Sequence, residues 1–141
     1  MNSFRNFIKN TEFEIRRPYK NQTAFNIEHV PTKGYVTLIN YSNRIIITEG
    51  ETPRKARGKG IGTKLRALAT IYAIMKGVPI YQTGANLEGR SNVRHAQKGT
   101  PKIPTSTYIL RHRLGWKNNG GTKSKFEPGK NNNTKVRKVL T

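Results

Sequence analysis

A glycine-rich turn between a short apolar segment and an amphipathic segment constrains this chain more than any other stretch. The turn is Arg57-Gly58-Lys59-Gly60-Ile61-Gly62, and its alternate glycines allow a tight backbone and close approach of a ligand. The preceding segment, Arg44–Thr48, is rich in isoleucine and predicts a buried strand. Leu65–Met75 carries apolar residues three and four positions apart, which predicts a helix that ends at Gly77. The sequence therefore predicts a strand–turn–helix unit.

This unit predicts a site for a phosphate or pyrophosphate group. The N-terminus of a helix presents free backbone N–H groups and the positive end of its dipole, and basic side chains in and after the turn add charge. A P-loop is excluded because no Gly-x-x-x-x-Gly-Lys-[Ser/Thr] run is present. The glycines also lack the Gly-x-Gly-x-x-Gly spacing of a dinucleotide site, and the next acidic residue is the distant Glu88.

Arg57, Gly60 and Gly62 match the pattern [Gln/Arg]-x-x-Gly-x-[Gly/Ala], so the segment resembles the signature of the Gcn5-related N-acetyltransferases. The resemblance extends through the predicted helix and the next predicted strand, Val78–Thr83, and is weak at Leu114-Gly115-Trp116. It implies an α+β fold, with a mixed, mostly antiparallel twisted sheet and a central helix after the glycine turn. It also implies that the strands before and after this helix are parallel neighbours that splay apart.

The resemblance further implies acetyl-coenzyme A as the cofactor and an unidentified amine as the acetyl acceptor. The residues expected to hold the cofactor follow from the motif: Arg57, Gly58, Lys59, Gly60, Ile61, Gly62 and Thr63. Glu49, close to the end of the strand before the turn, is the candidate base. Glu49 and Glu51 are alternatively surface acids that pair with Arg54 or Lys55.

A second catalytic residue is harder to assign from the motif. Many members of the family carry a tyrosine four positions before the Gly-aromatic pair, and it protonates the leaving thiolate. Arg111 occupies that position here. Tyr108, one helical turn earlier, either replaces this tyrosine or is a packed aromatic residue. The sequence therefore leaves catalysis open.

The charge of the chain favours a different function. Lys and Arg number 27 against 7 acidic residues, which gives a net charge of +20. This charge predicts an anionic partner, most often nucleic acid or another polyanion. The alternative to an enzyme is therefore a catalytically weak or inactive basic protein of the same fold, which binds nucleic acid or is a structural component of a nucleoprotein particle.

Composition excludes several other classes. The chain has no aspartate, which argues against a two-metal nuclease or polymerase, and no cysteine for a disulfide or a thiolate zinc site. His29, His95 and His112 show no metal-ligand spacing and are expected to be surface or structural residues. No apolar run approaches the ~20 residues that span a membrane. A cytoplasmic location, or one within a nucleoprotein particle, is predicted.

The predicted organisation is one domain over residues 1–116, with a loop-like insertion near 87–104 and a basic, flexible tail over 117–141. A meander of strands, Ala24–Val30 and Tyr35–Tyr41, precedes Arg44–Thr48. Ser106–Leu114 predicts a helix with Ser106 as its N-cap. The family usually has two helices before the meander. The residues before Ala24 leave no room for both, so the acceptor side is expected to be shortened or replaced.

Overall fold

The computed structural model describes residues 1–17, 23–83, 93–95 and 102–141. The strands are β1 (Phe13–Arg16), β2 (Ala24–His29), β3 (Gly34–Asn40), β4 (Ile45–Glu51), β5 (Ile80–Gln82), β6 (Val93–His95), β7 (Lys102–Pro104), β8 (Lys117–Asn118) and β9 (Ser124–Phe126). The helices are α1 (Asn2–Ile8), α2 (Ile61–Lys76), α3 (Thr105–Tyr108), which continues as a π-helical turn (Ile109–Arg113), and α4 (Lys130–Val139). A 3-10 turn, Arg54–Ala56, precedes the glycines.

Seven of these strands form one mixed sheet in the order β1-β2-β3-β4-β5-β9-β8. β4 and β5 are parallel, with Ile45–Ile47 paired to Ile80–Gln82, and the other described neighbours are antiparallel. α2 is the crossover between β4 and β5. The predicted α+β class is therefore confirmed, as is the prediction that these two strands are parallel neighbours.

α2 forms because its apolar side chains line up against the sheet. Leu65, Ile71 and Tyr72 are buried in the central core. Burial of apolar surface stabilises the folded state by about 25 cal/mol per Å². The helix ends where Gly77 adopts a left-handed φ of 73° and its N–H bonds the Ala73 carbonyl at 2.8 Å. The predicted helix and its stop signal are confirmed.

The sheet has one face covered by α2 and one open face. On β2 and β3, Phe25, Ile27, Val36 and Leu38 are fully buried, and the residues between them are only partly buried. Side chains along a strand alternate between the two faces of the sheet, so the strand register shows on which face each side chain lies. Four of the chain's glutamates lie on the open face: Glu14, Glu28, Glu49 and Glu51.

The prediction of a flexible tail over 117–141 is wrong. β9 pairs with β5, and β8 pairs with β9, so this segment completes the large sheet. α4 packs on α2. Phe126 is 2% exposed and Val136 is fully buried, so a few well-spaced apolar residues are enough to anchor a segment that is otherwise polar. Val136 lies within α4.

The late helix, α3 with its π-helical turn, differs from the helix predicted over Ser106–Leu114. It begins at Thr105 after Pro104, so Ser106 is not its N-cap. After one α-helical turn it widens into the π-helical turn, in which Leu114 N–H bonds the Ile109 carbonyl at 3.1 Å. It ends, as predicted, at Gly115, whose φ is 76°.

Most of the predicted insertion near 87–104 lies outside the described residues. Its described parts, β6 and β7, form an antiparallel pair in which Val93 is aligned with Pro104. His29, expected at the surface or in a structural role, is structural: it is 3% exposed, with Nε2 2.8 Å from Glu12 Oε2.

Candidate functional site

A cleft of about 780 Å³ lies where β4 and β5 stop pairing. Their ladder ends at Ile47 and Gln82. On the other side of β4, Leu38 is aligned with Ile47 and Thr37 with Glu49, so Thr48 is an extra, bulged residue. A bulge bends its strand and increases its twist. The cleft therefore begins where the pairing of β4 with β5 ends, and its volume is that of a small-molecule site.

The glycine turn forms one wall of this cleft. Gly58 and Gly60 have left-handed φ values of 84° and 78°, which only glycine adopts without strain. Gly60 is the N-cap of α2 and has no side chain that could cap it. The first intrahelical bond joins the Lys64 N–H to the Gly60 carbonyl at 3.0 Å. The amides of residues 61–63 precede this bond, so they are available to an anion.

The structure brings nearly all the predicted cofactor residues to the cleft. Those that line it are Arg57, Gly58, Gly60, Ile61, Gly62 and Thr63. Lys59 is exposed and is not part of the lining. Arg57 donates through Nε to the Thr52 carbonyl at 3.1 Å, which ties the turn to the end of β4. Ile61 is 8% exposed and belongs to the core, so only its backbone is suited to a ligand.

The two candidate catalytic residues also line the cleft, from different elements. Glu49 is exposed on β4, and its Oε1 lies 3.4 Å from Thr37 Oγ1. Tyr108 belongs to α3, and its ring stacks on His112 at a centroid distance of 4.9 Å. Among the described residues, no lysine or arginine forms an ion pair with Glu49 or Glu51, so the expected pairs with Arg54 or Lys55 are absent.

Tyr35 is a cleft residue that the sequence did not indicate. It lies on β3 opposite Glu51 and lines the cleft together with Glu49. Burial raises the pKa of Tyr35, and the neighbouring Glu49 and Glu51 charges raise it further. Tyr35 therefore keeps its proton at neutral pH.

Arg111, at the position of the family's usual tyrosine, has a structural role. Its Nε donates to Ser124 Oγ at 2.9 Å, and Nη2 donates to the carbonyls of Gly121 and Lys123 at 2.6 and 2.8 Å. It lies outside the cleft lining. Burial lowers its pKa. Arg111 therefore holds the β8–β9 hairpin against the late helix.

Three buried polar atoms on the cleft wall have no partner within the described residues: Arg66 Nε, Gln82 Oε1 and Thr105 Oγ1. Gln82 Nε2 donates to Ser106 Oγ at 3.1 Å, which leaves the amide oxygen free. Folded proteins hold few unsatisfied buried polar groups, and each one requires an explanation. Three of the four such atoms among the described residues thus lie on this wall, where ordered water or a polar ligand would complete their hydrogen bonds.

The sequence carried one signal for this group. Arg66 is the only charged residue between Leu65 and Met75, among residues that are otherwise mostly apolar. A lone arginine in such a segment has to be paired, solvated or bound to a ligand. Gln82 and Thr105 gave no comparable signal.

Comparison with models of known protein families finds no match to this sequence, and comparison with curated proteins also finds none. In the part of the chain that the structure describes, no helix is long and apolar enough to cross a membrane.

Proposed function

We propose that the protein binds acetyl-coenzyme A and transfers the acetyl group to an amine, as the resemblance to the Gcn5-related N-acetyltransferases implies. One observation carries the proposal: the glycine turn, the uncapped start of α2 and the end of the β4–β5 pairing all border the same cleft. In the family, the turn holds the pyrophosphate, and the pantetheine arm enters between the splayed strands.

The residues on the cleft wall suit such a ligand. The amides of residues 61–63 and the Arg57 guanidinium offer donors to a pyrophosphate. Gln82 Oε1 and Thr105 Oγ1, both without partners, offer hydrogen bonds to the amide groups of a pantetheine arm. The coenzyme supplies an acyl group activated as a thioester. The protein has to orient it and to handle the protons.

The acids of the cleft suit the acceptor side. Acyl transfer forms a bond from the amine nitrogen to the acyl carbon, breaks the carbon–sulfur bond and removes a proton from nitrogen. The Glu49 carboxylate, which lines the cleft, accepts that proton. Tyr108, across the cleft on α3, donates a proton to the departing thiolate. Glu49 and Glu51 also attract a cationic amine to a protein that otherwise repels cations.

Measuring free thiol released from acetyl-coenzyme A, in the presence of primary amines such as polyamines and lysine peptides, tests this function. Glu49→Gln should lower the rate at least about a hundredfold, the typical contribution of a general base, and leave coenzyme affinity unchanged. Glu127→Gln is the matched control, because Glu127 is exposed and pairs with Lys125, outside the cleft. Equal rates for Glu49→Gln and wild type would reject Glu49 as the base.

The distribution of charge favours a second candidate function, the binding of a polyanion such as nucleic acid. Residues 102–141 carry many Lys and Arg residues and a single acid, Glu127. On α4, Lys130, Lys135 and Lys138 are all exposed. The described glutamates lie mainly on the open face of the sheet, so they do not neutralise this surface.

Salt dependence of nucleic-acid binding tests this second candidate. Contact with about 6–10 phosphates predicts an affinity loss of roughly 10³–10⁵ between 50 and 200 mM salt. Removal of 117–141 is unsuitable, because it would delete two strands and a core helix. Changing Lys130, Lys135 and Lys138 to Gln should weaken binding, whereas the same change at Arg5, Lys9 and Lys55 should have a smaller effect. Binding that is insensitive to salt would contradict this function.

A further inference from the structure

Arg66 is a buried cation that has no acidic partner among the described residues. It is 8% exposed, and none of the described ion pairs includes it. On β4, Gly50 is aligned with Val36 and faces α2, whereas Glu49 and Glu51 are aligned with residues of the open face. The two nearest acids in sequence therefore point away from Arg66. Burial lowers its pKa to about 10, so it is charged at neutral pH.

The hydrogen bonds of this guanidinium are incomplete. Nη1 donates to the Gly62 carbonyl at 3.1 Å, and the buried Nε has no partner in the part of the chain that the structure describes. A charged group that is removed from water and left uncompensated is strongly destabilising. If the side chain at this position only filled space, an apolar residue would make the protein more stable. The buried charge is therefore consistent with a bound ligand.

Two glycines make room for the guanidinium. A Cβ atom at Gly50 would lie 3.0 Å from Arg66 Nη2, and one at Gly62 would lie 3.2 Å from Nη1. Neither glycine has a positive φ. Unlike the backbone at Gly58 and Gly60, the backbone at Gly50 and Gly62 does not require glycine. What they provide is space around a charged group on the wall of the cleft.

The guanidinium and the first turn of α2 line the same cleft. Arg66 bonds Gly62, and Gly62 belongs to the first turn, whose amides are not used by the helix. A helix N-terminus alone attracts anions weakly, but a buried arginine one turn further on adds a full charge and planar donors. Both features favour an oxyanion with two or more oxygens.

We propose that Arg66 and the first-turn amides of α2 form a buried oxyanion-binding subsite in the cleft. Its ligand is a phosphate or carboxylate group that Arg66 binds through Nε and Nη2. Which of the two it is rests on the proposed function: a phosphate belongs to the acyl carrier, and a carboxylate belongs to the acceptor amine. The subsite itself does not depend on acyl transfer.

Titration of the full chain with inorganic pyrophosphate and with malonate, followed by calorimetry, tests the subsite. The Arg66→Met variant should lose at least about tenfold in affinity for one of these anions, and Arg66→Lys should lose less. Arg113→Met is the control, because Arg113 lines the same cleft but is exposed. A loss confined to pyrophosphate identifies a phosphate subsite, and one confined to malonate identifies a carboxylate subsite.

The Tm of the Arg66→Met variant, measured without ligand, distinguishes a ligand-binding role of Arg66 from a structural role. If Arg66 serves a ligand, Arg66→Met should raise Tm, because a buried charge disappears. A lower Tm, an unfolded variant or unchanged affinity for both anions would overturn the proposal, as would a wild type that binds neither anion. A wild type that binds pyrophosphate through Arg66 but does not bind acetyl-coenzyme A would retain the subsite and reject the proposed function.

Discussion

Gly60→Asp places a carboxylate where the proposed pyrophosphate would bind. Gly60 is the N-cap of α2, and no atom lies within 4 Å of the Cβ that a substitution would add. The aspartate therefore meets no steric obstacle. Its cost to folding is the left-handed φ of 78°, about 1–2 kcal/mol, and a carboxylate at a helix N-terminus offsets part of that cost.

The effect on binding should be larger than this net cost to folding. An anion at a helix N-terminus gains about 0.3–1 kcal/mol, and up to ~2 in partly buried geometry. The aspartate removes this gain and repels a phosphate as well. A combined loss of about 1.4–2.8 kcal/mol corresponds to roughly 10- to 100-fold in affinity for acetyl-coenzyme A. Calorimetry measures it, and circular dichroism with melting shows whether the variant is folded.

Gly121→Asp is the matched control. Gly121 also has a left-handed φ, 55°, and open space around it, but it lies in the β8–β9 turn outside the cleft. It should show a similar cost in Tm with unchanged affinity. A folded Gly60→Asp variant that bound acetyl-coenzyme A as tightly as the wild type would refute the assignment of the turn to the pyrophosphate.

Three further outcomes follow from the packing. Phe126→Ala should cost about 3–5 kcal/mol of unfolding free energy, measured by urea denaturation, because β9 is anchored in the core. A loss near zero would support the prediction of a flexible tail instead. Arg111→Met should cost about 1–3 kcal/mol by the same measurement, since the hairpin carbonyls lose their donor, and unchanged stability would contradict that role. Gly62→Ala should lower pyrophosphate affinity in calorimetry even though alanine favours the helix; an unchanged affinity would show that Arg66 adjusts freely.

The strand–turn–helix unit could be predicted because its information is local. The apolar spacing after Leu65, the stop at Gly77 and the isoleucines of β4 each determine a structure within a few residues. The parallel pairing of β4 and β5 followed from the crossover helix. The cleft-lining positions in the turn followed from the motif.

The remaining features depend on contacts between distant segments. Phe126 and Val136 stand alone among polar residues, so composition predicted a flexible tail although both are core residues. The bulge at Thr48 is visible only in the register of β3 with β4. The role of Arg66 depends on its contact with Gly50, which lies on a strand that packs against α2. The closeness of these two residues cannot be read from a single sequence.

Calorimetric titration of the wild-type protein with acetyl-coenzyme A tests the central claim most directly. The cleft predicts saturable binding to one site at micromolar protein, with competition from inorganic pyrophosphate. No detectable binding, together with nucleic-acid binding that weakens steeply with salt, would contradict the acetyltransferase and leave the basic nucleic-acid-binding protein as the function of this fold.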